Sequence, residues 1–237
     1  MYDWFQISTD HFGRTSTKEQ TEIVHEIFHD LDANNMWIEK DVDQLFSPKL
    51  DKFLADRFVE GTCPKCNYVD ARGDQCDKCG SLINAIELID PRCKFTGCKP
   101  EIRTSRHLFL DLPKLEPEIK AYLYSQIPEW SNNARQILES WLKKGLEPRC
   151  MTRDLKWGIK VPKEGYEHKV FYVWFDAPIG YPSITACYTK EWRQWWHGDN
   201  VEYFQFMGKD NVPFHSVMFP AYLIGTRKPW KLVRDIK

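Results

Sequence analysis

The 237 residues carry 33 Lys and Arg against 34 Asp and Glu, for a formal net charge of −1, with 42% hydrophobic and 14% aromatic content. That is enough apolar material for one large domain or two modest ones, and the even charge excludes a generally basic nucleic-acid binder, so any RNA contact must come from local patches or from other parts of a larger polypeptide. No apolar run approaches the ~18 residues of a membrane span and MYDWFQISTD lacks the basic and apolar regions of a signal peptide, so a cytoplasmic protein with no membrane partner is expected.

Taken in order, Ser16 with Glu19 and Thr17 with Gln20 form two overlapping capping boxes ahead of Ile23, Val24, Ile27, Phe28 and Leu31, which predicts an amphipathic helix to about Asp32. His25 and His29 lie four apart on it with no third ligand and read as solvated or rim residues. Asn34-Asn35 breaks the pattern, and Met36-Trp37-Ile38 begins a strand-like stretch.

Four of the eight cysteines fall within seventeen residues, as Cys63-Pro64-Lys65-Cys66 and Cys76-Asp77-Lys78-Cys79. Each CxxC turn aims two thiolates at one point, and two turns complete the tetrahedral sulfur site that zinc prefers. Gly80 permits positive φ behind its pair. Paired redox thiols, a reduced cluster and an iron–sulfur centre are the alternatives that spacing leaves open.

Beyond, Pro117 starts a short helix through Ala121 and Leu123; Ser131 caps a second, with Ile137, Leu138, Trp141 and Leu142 on one face and Gly145 after it. Arg153-Asp154 reads as a surface or interdomain ion pair. Val170–Phe175, six apolar residues rich in β-branched and aromatic types, predicts a strand buried on both faces, with Asp176 at its carboxyl end and Pro178 leading into a helix over 179–188. Ligands bind at the carboxyl ends of strands in open α/β sheets, so Trp174, Asp176, Ala177 and Tyr181 are pocket candidates. Trp192, Trp195 and Trp196 suggest packing on the preceding helix. Val201–Met207 alternates as a second parallel strand, Gly208, Lys209 and Asp210 fall at its end, and Asn211 caps a helix through His215, Val217 and Met218. His215 alone reads as a helix residue satisfied by a neighbour.

FLADRFVEGTCPKC, HLFLDLPKLEP, FYVWFDAPIGY and GKDNVPFHS together resemble the methionyl-tRNA synthetases, class I aminoacyl-tRNA synthetases, over most of the chain. The resemblance implies an α/β fold: the second half of a Rossmann-like nucleotide-binding fold with an inserted zinc-binding connective peptide. It divides the chain into 1–33, the end of the first half; 34–147, the insert; and 148–237, the second half. It further implies that Trp174, Ala177, Pro178, Tyr181, Asn211 and His215 line a methionine pocket, that Gly208, Lys209 and Asp210 face ATP, and that Arg153 contacts the anionic part of methionine, ATP or the adenylate. Asn211 stands where bacterial members commonly have Ile. Cys93 and Cys98 stand where two-knuckle members keep half of a second site, but Phe46 to Asp51 holds no cysteine, so one Zn2+, on Cys63, Cys66, Cys76 and Cys79, and two ordinary thiols are expected.

On this resemblance the parent enzyme joins L-methionine to tRNA(Met) through methionyl-adenylate, with ATP and Mg2+, and other synthetases are candidate partners in a complex. HIGH- and KMSKS-like motifs do not occur in the 237 residues, so the chain is expected to be an internal piece without activation chemistry of its own. Two other readings are a non-catalytic zinc-ribbon RNA-binding or scaffold module and a leucyl or cysteinyl synthetase with a related insert. The intact run from Trp174 to Tyr181 and the GKD strand end speak against the first, and the continuity of FYVWFDAPIGY against the second.

Overall fold

Thr17 holds an extended backbone and its hydroxyl accepts from the Gln20 amide at 3.1 Å, which opens α1 (Lys18–Ala33). Residues spaced three and four apart then form one buried stripe, Ile23, Val24, Ile27, Phe28 and Leu31. Asn35 follows at φ 55°, and Lys114 donates to the carbonyls of Asn34 and Asn35 at 3.3 and 3.0 Å, placing a cation at the negative end of the helix. This computed structural model describes residues 2–73, 76–79, 83–208 and 211–236.

In chain order follow β1 (Trp37–Ser47), β2 (Lys52–Phe53), β3 (Val59–Thr62), β4 (Ala71–Arg72), β5 (Ile89–Cys93) and β6 (Glu101–Leu110). Then come α2 (Leu112–Gln126), α3 (Asn132–Lys144), β7 (Arg149–Cys150), β8 (Thr152–Arg153), β9 (Val170–Phe171), α4 (Val173–Asp176), α5 (Gly180–Tyr188), α6 (Trp192–His197), β10 (Phe204–Gln205), α7 (Phe219–Gly225) and β11 (Asp235–Ile236). The chain divides into two compact units: one runs through Ile38, then Leu108–Thr152, then from Gly158 onward; the other is Glu39–His107 with Arg153–Trp157.

In the first unit α1, α2, α5 and α7 enclose a core that includes Leu31, Leu115, Ile119, Leu123, Phe175 and Tyr222. Phe28, Phe171, Phe175 and Tyr222 form a chain of rings with centroids 5.4, 4.8 and 4.9 Å apart, spacings at which tilted and edge-on aromatic pairs attract. α2 begins earlier than Pro117 suggests. The Asp111 carboxylate accepts from the Lys114 amide at 3.2 Å and Pro113 occupies the first turn, so the helix starts at Leu112 and Pro117 lies inside it. α3 follows the sequence closely: the Ser131 hydroxyl accepts from Ala134 at 3.4 Å, and Gly145 ends the helix at φ 78°, a conformation costly for any residue with a Cβ.

The six-residue strand expected over 170–175 is not formed. Only Val170 and Phe171 are extended; Val173–Asp176 turns into a helix, with the Phe175 amide bonded to the Tyr172 carbonyl and the Ala177 amide to the Val173 carbonyl. Burial explains the change. Phe171, Phe175 and Ile179 are buried four residues apart, while Val173 is 55% exposed, so the run obeys helical and not two-residue spacing. The second expected strand is shorter but keeps its direction: Phe204–Gln205 pairs in parallel with Asp235–Ile236. The alternation holds, since Gln205 is buried and Phe204 and Phe206 are exposed.

In the second unit β3 lies between β4 and β5, antiparallel to both, and β1 pairs antiparallel with β2 through Phe46↔Phe53. Its small core, Leu45, Leu54, Val59, Ala71 and Leu88, includes Cys63, Cys76 and Cys93.

Candidate functional site

The second unit brings Cys63, Cys66, Cys76 and Cys79 together, with their four sulfurs all within 4.8 Å of one another. The first turn is made by the backbone: the Cys63 amide donates to Tyr68, the Asn67 amide to Cys63 and the Lys65 amide to Cys63 Sγ at 3.4 Å. Asn67 takes φ 57° directly after the pair, the position that corresponds to Gly80 in the second pair; Gly80 lies outside the described residues. Sulfurs of Cys63 and Cys79 are 3.9 Å apart and those of Cys66 and Cys76 are 3.6 Å. A tetrahedron with metal–sulfur bonds of about 2.3 Å has edges of about 3.8 Å, which these two separations match. The thiols differ: at Cys63 hydrogen bonds outweigh burial and lower the thiol, whereas at Cys66 the amide of Tyr68 favours the thiolate but burial and the neighbouring thiols push it up to about 12. Binding a divalent ion would require loss of the remaining thiol protons. Cys93 lies outside this cage, where burial raises its thiol but hydrogen bonds from Thr96, Phe95 and Ser47 pull it below the usual value.

The first unit brings the amino-acid candidates together around α4, α5 and the segment after Gly208. Trp174, half-buried on α4, meets Phe214 edge-on at 4.6 Å and stacks on Tyr172 at 5.7 Å. Its carbonyl accepts from the Tyr222 hydroxyl at 2.6 Å. Pro178 is buried and Ala177 exposed. The Tyr181 hydroxyl lies 2.8 Å from His215 Nε2, and His215 Nδ1 lies 2.8 Å from the Asn211 carbonyl. A carbonyl can only accept, so Nδ1 carries the proton and Nε2 accepts from Tyr181. Burial lowers the His215 pKa and raises that of Tyr181, which keeps both groups uncharged near neutrality. Asn211 thus contributes its carbonyl. His215 sits in a single π-helical turn, Phe214–Met218, one turn before Pro220, which has no N–H to offer the ladder.

Asp176 is half-buried, and desolvation pushes its carboxyl up to about 6. Gln20 reaches its carbonyl at 2.6 Å and also pairs with the Ser183 hydroxyl, so a fully buried polar residue of α1 ties α4 to α5. In the sequence Gln20 shows only as a capping partner, although its place on the apolar stripe, one turn before Ile23 and Val24, signals burial. No local pattern marks Phe214 as the partner of Trp174. A side chain at Gly208 would enter open space, which leaves the backbone accessible there. Lys209 and Asp210 lie outside the described residues. Arg153 is half-buried at the end of β8, in the second unit. A cavity of about 330 Å³ borders Tyr181, Thr185, Trp196, Val201 and Tyr203, and of the expected pocket residues it includes Tyr181 alone. α6 packs as expected: Trp196 donates to the Thr185 hydroxyl at 3.0 Å, although Trp195 is 55% exposed. Among the described residues no helix is long and apolar enough to cross a membrane.

The family model described as tRNA synthetases class I (M) matches residues 1–237. The chain belongs to this family. It is 54% identical to the methionine–tRNA ligase of Treponema denticola over 97% of its length and 56% identical to the cytoplasmic methionine–tRNA ligase of Arabidopsis thaliana over all of it, covering 30% of each. The cytoplasmic enzyme of Saccharomyces cerevisiae is 54% identical, with 32% covered. The chain therefore spans about a third of the length of the curated relatives it matches. Its fold is similar to that of Mycobacterium tuberculosis methionyl-tRNA synthetase in complex with methionyl-adenylate, with a TM-score of 0.65 at 20% identity over 99% of this chain and 41% of that one. A class I synthetase fold is thereby shown.

Proposed function

We propose that this chain is the amino-acid-binding and zinc-bearing part of a cytoplasmic methionine–tRNA ligase, which activates L-methionine with ATP and Mg2+ and transfers it to tRNA(Met). The observation that carries the reading is the corner made by Trp174 and Phe214 beside the uncharged Tyr181–His215–Asn211 chain. A thioether offers almost no hydrogen bonding, so a methionine site must select by shape against apolar walls. Both nitrogens of His215 are already satisfied internally, which suits it to hold Tyr181 in place as part of such a wall. Trp174, Ala177, Pro178, Tyr181, Asn211 and His215 are assigned to the side-chain pocket. Gly208, Lys209 and Asp210 are assigned to ATP, with an open backbone at Gly208 and a carboxylate suited to ribose hydroxyls. Arg153 is assigned to the anionic part of substrate or adenylate, where a guanidinium fork fits carboxylate and phosphate alike.

In this reading Zn2+ on Cys63, Cys66, Cys76 and Cys79 is structural: four thiolates close the tetrahedron and leave no open position for catalysis. The catalytic burden on this stretch is positioning, because methionine must be held with its carboxylate in line with the α-phosphate of ATP. The HIGH- and KMSKS-like motifs expected to hold the triphosphate do not occur in the 237 residues, and activation is proposed for the polypeptide that includes them. The test is ATP–pyrophosphate exchange by the intact enzyme across an amino-acid panel. Methionine should drive exchange, with competitors lacking one methylene weaker by about 10–200-fold; exchange driven better by leucine or cysteine would overturn the proposal.

A further inference from the structure

We propose that Arg149 is a positioning residue for the amino-acid pocket, its guanidinium held between the indoles of Trp141 and Trp174 so that it fixes the orientation of Trp174. The inference rests on the proposed role of Trp174 as a wall of that pocket. Arg149 stands at the start of β7, where the ladder register Leu110↔Arg149 sets its backbone. Its central guanidinium carbon lies 5.1 Å from the Trp141 ring centroid and 5.9 Å from that of Trp174, both within the range of cation–π attraction.

Its Nε is buried and has no hydrogen-bond partner among the described residues. A buried charged donor without an acceptor is destabilising unless something else offsets it. Two aromatic faces are what the structure supplies. The cation consequently links three elements: α3 through Trp141, β7 through Arg149 itself and α4 through Trp174.

Trp174 needs such a link. Its carbonyl is pinned by Tyr222, but its indole is oriented by ring contacts with Tyr172, Phe214 and the guanidinium. Tyr172 bears on the ring from two residues away and Phe214 from the turn Phe214–Met218, and Arg149 adds a third, cationic contact from a strand fixed by pairing. A planar guanidinium is also the cation suited to lying against an indole, and an ammonium would do so less well.

The experiment is steady-state ATP–pyrophosphate exchange by the intact enzyme, with methionine and ATP varied separately, beside melting temperatures. Arg149→Met keeps apolar bulk and removes the planar cation; it should raise the methionine KM about three- to tenfold and leave the ATP KM unchanged. Arg149→Lys should lie between, and Trp141→Leu should reproduce the loss. In a Trp174→Ala background Arg149→Met should add nothing further, because the ring it positions is gone. An unchanged methionine KM in Arg149→Met would overturn the inference. So would equal rises in both KM values with a lowered melting temperature, which would make Arg149 a folding residue only. If Trp174→Ala itself leaves methionine dependence intact, the pocket reading fails; if Trp174→Ala is impaired and Arg149→Met is not, only this inference fails.

Discussion

Asp176, half-buried, and His215, buried, have opposite consequences for pH. The folded carboxyl of Asp176, pushed up to about 6, lies above its unfolded value of about 3.9, so the native state binds the extra proton between these limits and stability falls as pH rises through them. The penalty is fully present above about 6. Asp176→Asn keeps the acceptor and removes the charge, so its melting temperature should exceed that of the parent at pH 7 and approach it at pH 4.5. A gap that stays constant across that range would contradict the burial argument. For His215 the sign reverses: burial lowers its folded pKa, the unfolded chain binds more protons, and stability is lost as pH falls through about 6.5. These residues were legible to different degrees. Trp174 and Tyr181 are singled out by the sequence as the end of an expected strand that in fact stops at Phe171, whereas His215 alone reads as a satisfied helix residue and joins them only through the family resemblance. The hydrogen bond that makes Tyr181 and His215 one unit joins positions 34 apart, which no local pattern encodes.

At the scale of elements, the difference between the expected strand at 170–175 and the observed turn of helix makes a direct prediction. Val173 is 55% exposed on α4, so Val173→Ala loses little buried area and gains helix propensity; the change should be neutral or stabilising by about 0.5 kcal/mol. A doubly buried strand would lose about 1.5–3 kcal/mol at the same position. Thermal or denaturant unfolding decides between them. The sequence misled here because a short apolar run carries no period when every residue in it is apolar. Only the wider frame of Phe171, Phe175 and Ile179, four apart, reveals the helical face. The start of α2 differs from the sequence expectation for another reason. Pro117 is compatible with a helix start, yet Asp111 with Pro113 already forms a cap and first turn, and Asp111→Ala should cost about 1 kcal/mol. By contrast α1 and α3 are readable almost to the residue, since Thr17 and Ser131 supply hydroxyls that accept from first-turn amides and Gly145 takes the positive φ that ends the helix.

At the scale of the whole molecule, two compact units carry two kinds of stabilisation. The unit around Cys63, Cys66, Cys76 and Cys79 has a small apolar core, and its four thiols are spaced for one metal ion. Elemental analysis should find one zinc per chain, and chelation should unfold this unit, because metal-binding energy in such a site is folding energy. Two zinc ions per chain, or none with the thiols reduced, would contradict the assignment; Ser47 and Thr96 hydrogen-bond to Cys93, and among the described residues the four thiols are the one group of three or more metal-binding side chains. The other unit has a larger core of aliphatic and aromatic side chains, and its proposed task is to hold the amino acid. Trp174 joins these roles, since the ring that packs on Phe214 is the ring proposed to shape the pocket. The most direct test is therefore the methionine dependence of ATP–pyrophosphate exchange by Trp174→Ala in the intact enzyme. Loss of a large ring from a desolvated wall should weaken methionine by about 2–4 kcal/mol with ATP affinity little changed, whereas an unaltered methionine KM would show that Trp174 is core alone and that the pocket lies elsewhere.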